Sequence, residues 1–260
     1  MSEPSVATMP VSTMNDVELA RHIAETAGRI LVELQRSGLF EGKALGKAGD
    51  RTANAFIMEA LKANRPDDAV LSEEEKDNED RLKASRVWIV DPLDGTREYG
   101  EGRTDWAVHV ALSIDGAPTL GAVALPGIPL TLCTGQPQQV PPNPGKLRML
   151  VSRTRPAAEA VAVAKALDAE LVPMGSAGAK AMAVVRGEAD IYLHTGGQYE
   201  WDNCAPAAVA QAAGLHISRA DGSPLVYNNA DTYLPDLLIA PKDLAQRVLA
   251  VLKTLEPAAS

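Results

Sequence analysis

Apolar residues near the start of the chain recur at helical spacing and give way further on to the alternation of strands. Leu19, Ile23, Ala27, Ile30, Leu31 and Leu34 fall on one face of a helix that Asn15 or Asp16 caps and that ends near Gly38. Residues 41–49, rich in Gly and Lys, read as a loop. A second helix then opens at Asp50, turns Ala53, Phe56, Ile57, Ala60 and Leu61 inward and stops at Pro66. Residues 69–72 form a short strand followed by an acidic segment, 73–77. Val87 to Val90 is an unbroken apolar run, the signature of a buried strand. Trp106, Val108, Val110, Leu112 and Ile114 alternate with smaller or polar residues, and Asp115-Gly116 turns the chain back into residues 119–125 as a hairpin.

Residues 135–146, GQPQQVPPNPGK, are the clearest break in composition. Beyond them strands and helices alternate: strands over 148–151, 170–173, 189–193, 215–218 and 237–240, and helices over 156–167, 177–185, 203–213 and 242–255. The fold class is therefore α/β, with an α+β N-terminal part. The expected organisation is a loose tail over 1–14, an N-terminal α+β domain over 15–140 that carries the chemistry, and a C-terminal α/β domain over 141–260 that binds substrate.

Composition narrows the partners. A net charge of −9 lacks the basic footprint that nucleic acid or an anionic membrane requires, so neither is expected as a partner. Cys133 and Cys204 are far apart and have no metal-ligand spacing, which fits a reducing compartment. Residues 1–14 lack a basic start with an apolar run, and no apolar stretch approaches the ~20 residues that span a bilayer. A cytoplasmic protein is expected.

The chemistry concentrates where the Val87–Val90 run breaks into Asp91-Pro92-Leu93-Asp94-Gly95-Thr96. Proline has no N–H for a central strand ladder, and Asp-Gly-Thr is turn and N-cap chemistry. Two carboxylates three residues apart at a strand end repel unless a cation sits between them. Hard oxygens on a short turn, with helix N–H groups just beyond, suit Mg²⁺ and a phosphate. Partners are sought at other element ends. Glu73 follows a strand, Asp202 precedes an Ala-rich helix, Asp50 opens a helix, and the Leu93 carbonyl is a further hard donor. The plainer readings differ in weight. Glu74, Glu75 and Asp77 read as a solvated charge run. Asp202 serves equally as an N-cap worth ~1 kcal/mol, and Asp50 likewise. His109 reads as a satisfied core residue, His22 and His216 as structural, and His194 stays open. No serine lies in a nucleophile elbow.

These residues together resemble the Mg²⁺-dependent, lithium-sensitive inositol monophosphatase superfamily, over about residues 50–236. Arg97-Glu98-Tyr99-Gly100-Glu101-Gly102, Gly178-Ala179-Lys180 and Trp201-Asp202-Asn203-Cys204-Ala205-Pro206 are most similar to its 3′(2′),5′-bisphosphate nucleotidases of the CysQ type. The resemblance implies a layered αβαβα sandwich and two or three Mg²⁺ ions. Glu73, Asp91 and the Leu93 carbonyl would hold one ion, and Asp91, Asp94 and Asp202 the second. Asp50 with Thr96 would activate water, Gly95 and Thr96 would hold phosphate, and Gly175, Ser176 and Lys180 would contact the nucleotide. Arg155 stands where the family carries a nucleotide-contacting His, and its fork can still grip a phosphate. The implied reaction is hydrolysis of the 3′-phosphate of 3′-phosphoadenosine 5′-phosphate, or of its sulfated counterpart. Oligomeric state stays open, a homodimer included. Three rival readings stand beside it. One is the same metal core acting on inositol or fructose phosphates. Another is a haloacid dehalogenase-like phosphatase, disfavoured because its aspartates lie two apart rather than three. The last is a silent divalent-metal-binding protein.

Overall fold

Helix α1 (Asp16–Arg36) starts at the expected cap in the computed structural model, which describes residues 14–255. The Asn15 side chain accepts from the Glu18 N–H and the Glu18 carboxylate accepts from the Asn15 N–H, each at 3.0 Å. This reciprocal pair satisfies two donors that a helix start leaves open. The tail expected over 1–14 lies, Met14 apart, outside the described residues.

Helix α2 (Gly42–Asn64) overturns the loop expected over 41–49. Leu45, Gly46 and Gly49 continue the buried stripe of Ala53, Ile57 and Leu61 toward the N-terminus. The glycines are there for close approach. A Cβ on Gly46 would lie 2.7 Å from Thr96 Cγ2, and one on Gly49 2.9 Å from both Leu93 Cδ2 and Tyr99 Cε1. Asp50 therefore sits about two turns inside a helix and does not cap one.

The first sheet orders β1 (Ala69–Ser72), β2 (Arg86–Asp94), β3 (Ala107–Ile114), β4 (Ala117–Leu125) and β5 (Leu130–Cys133) as β1-β2-β3-β4-β5, with β1–β2 parallel and the other pairs antiparallel. A short helix, α3 (Thr96–Gly100), follows β2. Residues 134–147 carry the chain to a second sheet. That sheet comprises β6 (Arg148–Ser152), β7 (Glu170–Met174), β8 (Ile191–His194), β10 (His216–Ser218) and β12 (Leu237–Ala240), ordered β10-β12-β8-β6-β7. Strands β9 (Gln198–Tyr199) and β11 (Tyr233–Leu234) pair as a separate ribbon. The helices of this half are α4 (Ala158–Ala166), α5 (Ala177–Val185), α6 (Glu200–Ala212) and α7 (Lys242–Leu252).

The period of two along each strand sets the layers. Trp88 and Val90 of β2 face α1 and α2, while Val87 and Ile89 face α5 and α6. Leu150, Tyr192, Leu237 and Ile239 of the second sheet reach the same α5–α6 layer from the far side. Their neighbours Met149, Val151, Ile191, Leu193 and Leu238 pack on α4 and α7. The result is the αβαβα sandwich. Every residue of α5 is buried, and all but Lys180 are apolar or small.

Candidate active site

The site grows from a bulge at the end of β2. Asp91 pairs with His109 and Asp94 with Ala107, so Pro92 and Leu93 stand opposite Val108 alone. A bulge tolerates the N–H that proline lacks and re-aims the strand. Gly95 follows at φ +88°, a left-handed cap from which α3 starts. Asp91 Oδ1 accepts the Leu93 N–H at 3.0 Å, so the turn is braced by its own carboxylate.

Asp94 points at the start of α5. Its Oδ2 accepts a short bond from the Ser176 hydroxyl and another from the Gly178 N–H at 2.6 Å, and its Oδ1 accepts the Ala177 N–H at 3.1 Å. His109 stands behind the same carboxylate, its Nε2 3.3 Å from Asp94 Oδ2. The His109 Nδ1 lies 3.0 Å from the Trp201 carbonyl, an acceptor, so Nδ1 carries a proton. His109 is buried as expected, but only its Nδ1 has a hydrogen-bond partner among the described residues, and Nε2 faces Asp94 without one. Burial alone would raise the Asp94 carboxyl, but His109, Ser176 and Gly178 outweigh it and hold it at about 2. Asp94 Oδ1, with one bond, keeps lone pairs for a cation.

Asp202 is the third residue of α6 and does not precede it. Its Oδ2 accepts the Tyr199 N–H at 2.6 Å, so it caps the helix and still joins the cluster. One ligand atom each from Asp91, Asp94 and Asp202 lies within 4.8 Å of the others. Glu73, exposed just past β1, lies outside that trio but near enough for the charges of Asp202 and Asp94 to act on its carboxyl. Its turn is held from two sides. Asn54 of α2 accepts from the Ser72 hydroxyl at 2.8 Å and donates to Glu75 at 2.7 Å. Arg81, 2% exposed, grips Asp77 at 2.7 Å and Asn228 at 2.7 Å. Glu75 and Asp77 are exposed, as the expected charge run would be, and each also ties this turn to a neighbour, Glu75 to Asn54 and Asp77 to Arg81.

The charge balance shows what this cluster needs. Burial, then the Glu73 carboxyl, raise Asp91 well above the usual carboxylate range. Desolvation, then Asp202, push Glu73 up to about 7, and desolvation, then Asp94, push Asp202 up to about 6. Carboxyls that hold their protons because they are buried and then because they crowd one another are relieved by a divalent cation. All the donors are hard oxygens, and the Leu93 carbonyl adds one more, so the residues present fit such an ion.

Asp50 and Thr96 meet beside the cluster. Thr96 Oγ1 lies 3.3 Å from Asp50 Oδ1 and 3.1 Å from the Leu93 carbonyl oxygen. Burial, then the charge of Glu74, raise Asp50 to about 7 against the Thr96 hydrogen bond. A carboxylate poised there can accept a proton near neutral pH. A groove of about 700 Å³ between α2 and α3 opens on this pair, lined by Lys43, Lys47, Arg97 and Glu101 among others.

The expected nucleotide contacts fare unevenly. Gly175 and Ser176 form the turn before α5, with the Gly175 N–H donating to Asp105 at 2.7 Å. Lys180 turns its ammonium onto the backbone of that turn. Its buried ammonium donates to the carbonyls of Ser176 at 2.6 Å, Gly175 at 3.2 Å and Met174 at 3.5 Å, which braces the turn that holds Asp94. The Arg155 side chain is exposed and makes no hydrogen bond among the described residues, whereas Arg153 bridges Glu98 at 2.8 Å and Glu101 at 2.9 Å. Of the Arg97-Glu98-Tyr99 extension, Tyr99 is in the core and donates to the Leu31 carbonyl at 2.7 Å, so only Arg97 reaches the groove.

Comparison with known proteins bears on the same residues. "3′-Phosphoadenosine 5′-phosphate phosphatase" of Mycobacterium leprae is 48% identical over 257 residues, 92% of this chain and 94% of that protein. The protein of the same name from Mycobacterium bovis is 49% identical over 237 residues, 87% of this chain and 89% of that one. Among solved structures, CysQ from Bacteroides thetaiotaomicron, described as a bacterial member of the inositol monophosphatase family, has a TM-score of 0.76 at 24% identity and covers 87% of this chain and 97% of that one. The profile of the inositol monophosphatase family matches residues 19–256, a span that holds both sheets, all seven helices but the first turn of α1, and every carboxylate of the cluster. The chain belongs to the inositol monophosphatase family.

Proposed function

We propose that this protein is a Mg²⁺-dependent 3′(2′),5′-bisphosphate nucleotidase that hydrolyses the 3′-phosphate of 3′-phosphoadenosine 5′-phosphate to AMP and phosphate. The observation that carries the reading is the convergence of Asp91, Asp94 and Asp202 within 4.8 Å, next to the Asp50–Thr96 pair. The activity for which the mycobacterial relatives are named favours a nucleotide over a sugar.

In this reading Glu73, Asp91, Asp94, Asp202 and the Leu93 carbonyl hold two or three ions. When bound, the ions acidify water and neutralise charge on the transferring phosphoryl group. Thr96 orients the attacking water and Asp50 takes its proton. One P–O bond forms to that water, the P–O bond to the 3′-oxygen breaks, and the departing oxygen takes up one proton, balancing the one given to Asp50, to leave as the nucleotide hydroxyl. Two hydrogen bonds to its Oδ2, from the Ser176 hydroxyl and the Gly178 N–H, orient Asp94 and keep its other oxygen aimed. Gly95 and Thr96 receive the reacting phosphate at the start of α3, while Ser176 and Arg155 stand on the nucleotide side. Residues 15–140 thus carry all the proposed ion and water contacts but Asp202, and residues 141–260 supply that ligand and the nucleotide contacts.

The test is phosphate release with Mg²⁺ from adenosine 3′,5′-bisphosphate, inositol 1-phosphate and fructose 1,6-bisphosphate side by side. The nucleotide should give the highest kcat/KM, by about tenfold or more, the discrimination that a few polar contacts supply. A higher value for either sugar ester would replace the substrate assignment.

A further inference from the structure

Of residues 73–83, a run dense in charge, Arg81 alone is buried. A buried guanidinium is costly unless its N–H groups are met, and here they are. Its fork donates to both oxygens of Asp77, each at 2.7 Å. Nη1 donates to the Asn228 side chain at 2.7 Å and Nη2 to the Asn229 carbonyl at 3.0 Å. The Asn228 amide returns a bond to the Arg81 carbonyl at 3.0 Å.

The far side of this Asn-Asn turn is fastened to α6. Asn228 has φ +61°, a left-handed conformation that asparagine tolerates. The Asn228 and Asn229 N–H groups donate to the two oxygens of Glu200 at 2.7 and 2.8 Å, and the Asn229 side chain adds a third bond at 2.8 Å. Glu200 is fully buried and opens α6. Next to the turn, the Tyr227 hydroxyl donates to Asn203 Oδ1 at 2.8 Å. Glu200 and Asn203 flank Asp202, so the turn is tied to the helix on both sides of an ion ligand.

Glu73 is the one proposed ligand side chain on an exposed turn, outside the trio of Asp91, Asp94 and Asp202. Ordering a free turn around an ion costs about 1–2 kcal/mol for each residue fixed, so a turn held beforehand binds more tightly. We propose that Arg81 is a positioning residue for the ion site, which fixes the Glu73 turn against the end of α6 that carries Asp202. The inference rests on the reading of Glu73 as an ion ligand. The contacts run from Asp77, four residues past Glu73, through Arg81 and the Asn-Asn turn to Glu200, two residues before Asp202. Lysine would keep the charge of Arg81 but not the planar fork that holds both ends at once.

The experiment is calorimetric titration of the full chain with Mg²⁺ alone. D77N cuts the contacts at the turn, where the side chain is 38% exposed and Asn54 still holds Glu75. R81K cuts them at the fork. Each should raise the Mg²⁺ Kd about tenfold or more, the range seen when a group that orients a metal ligand is lost. D80N removes the same charge from the same segment, where Asp80 pairs only with exposed Lys83 at 2.8 Å, and should leave the Kd at the wild-type value. In an E73Q background D77N should add nothing, because the brace acts through Glu73. A wild-type Kd in D77N or in folded R81K overturns the role, whatever happens to Tm, and if R81K does not fold D77N decides. An equal rise in D80N, or a D77N effect that persists in full beside E73Q, overturns it too. If E73Q itself leaves the Kd unchanged, Glu73 is no ion ligand and the brace falls with that reading. If E73Q raises the Kd and D77N does not, the brace alone falls.

Discussion

Asp50 illustrates how a buried helix position shapes a base. It is 9% exposed, is raised to about 7 by burial and then by Glu74, and touches the Thr96 hydroxyl. Asparagine there keeps a partner for Thr96 but cannot take a proton. Asp50→Asn should therefore lower kcat by about 10²–10⁴ while KM and Tm hold near wild type, checked by steady-state rates and a thermal melt. Full turnover in the variant would remove Asp50 from the chemistry. The acidic residues were legible in the sequence because hard oxygens crowded on a Pro-Leu turn have no stability rationale. The place of His109 beside Asp94 was not. Within an alternating apolar strand it looks like any core histidine, and the groups that it meets, Asp94 and the Trp201 carbonyl, come from elements distant in the chain. Its one trace is Gly178, where a Cβ would lie 2.0 Å from His109 Nε2. The carbonyl partners of Lys180 were hidden for a related reason, since they belong to the backbone of a turn that the sequence shows only as glycine and serine.

At the scale of elements, periodicity recovered what packing against one layer dictates. Helix α1, the apolar run in β2 and the hairpin of β3 and β4 carry strong local signals and stand where expected. The start of α2 was hidden because Gly42, Gly46 and Gly49 read as loop residues, whereas α3 makes them helix residues by coming too close for a Cβ at Gly46 and Gly49. Helix α6 begins at Glu200, earlier than the expected Asn203, because the Asp202 carboxylate caps it there by accepting the Tyr199 N–H at 2.6 Å. Strands β9 and β11 are two residues each, too short for any alternation to show.

At the scale of the molecule, the sandwich presses carboxyls from β1, β2 and α6 together, and that arrangement makes stability depend on pH and on metal. An acid whose folded pKa is raised stabilises the fold below its ordinary value and loses that contribution as pH rises through the folded value. Asp202 moves from 3.8 to about 6 and Glu73 from 4.5 to about 7, and Asp91 shifts the same way. The Tm of chelator-treated protein should fall as pH rises from about 4 to about 7, and Mg²⁺ should restore it more near pH 7.5 than near pH 5. A flat profile, or equal restoration at both, would contradict the crowding. The central claim, that this cluster removes one particular phosphate, is tested most directly by ³¹P NMR of adenosine 3′,5′-bisphosphate with the protein. The account predicts loss of the 3′-phosphate resonance and growth of inorganic phosphate in Mg²⁺, an intact 5′-phosphate, and no change in chelator. Loss of the 5′-phosphate, or release that persists in chelator, would contradict it.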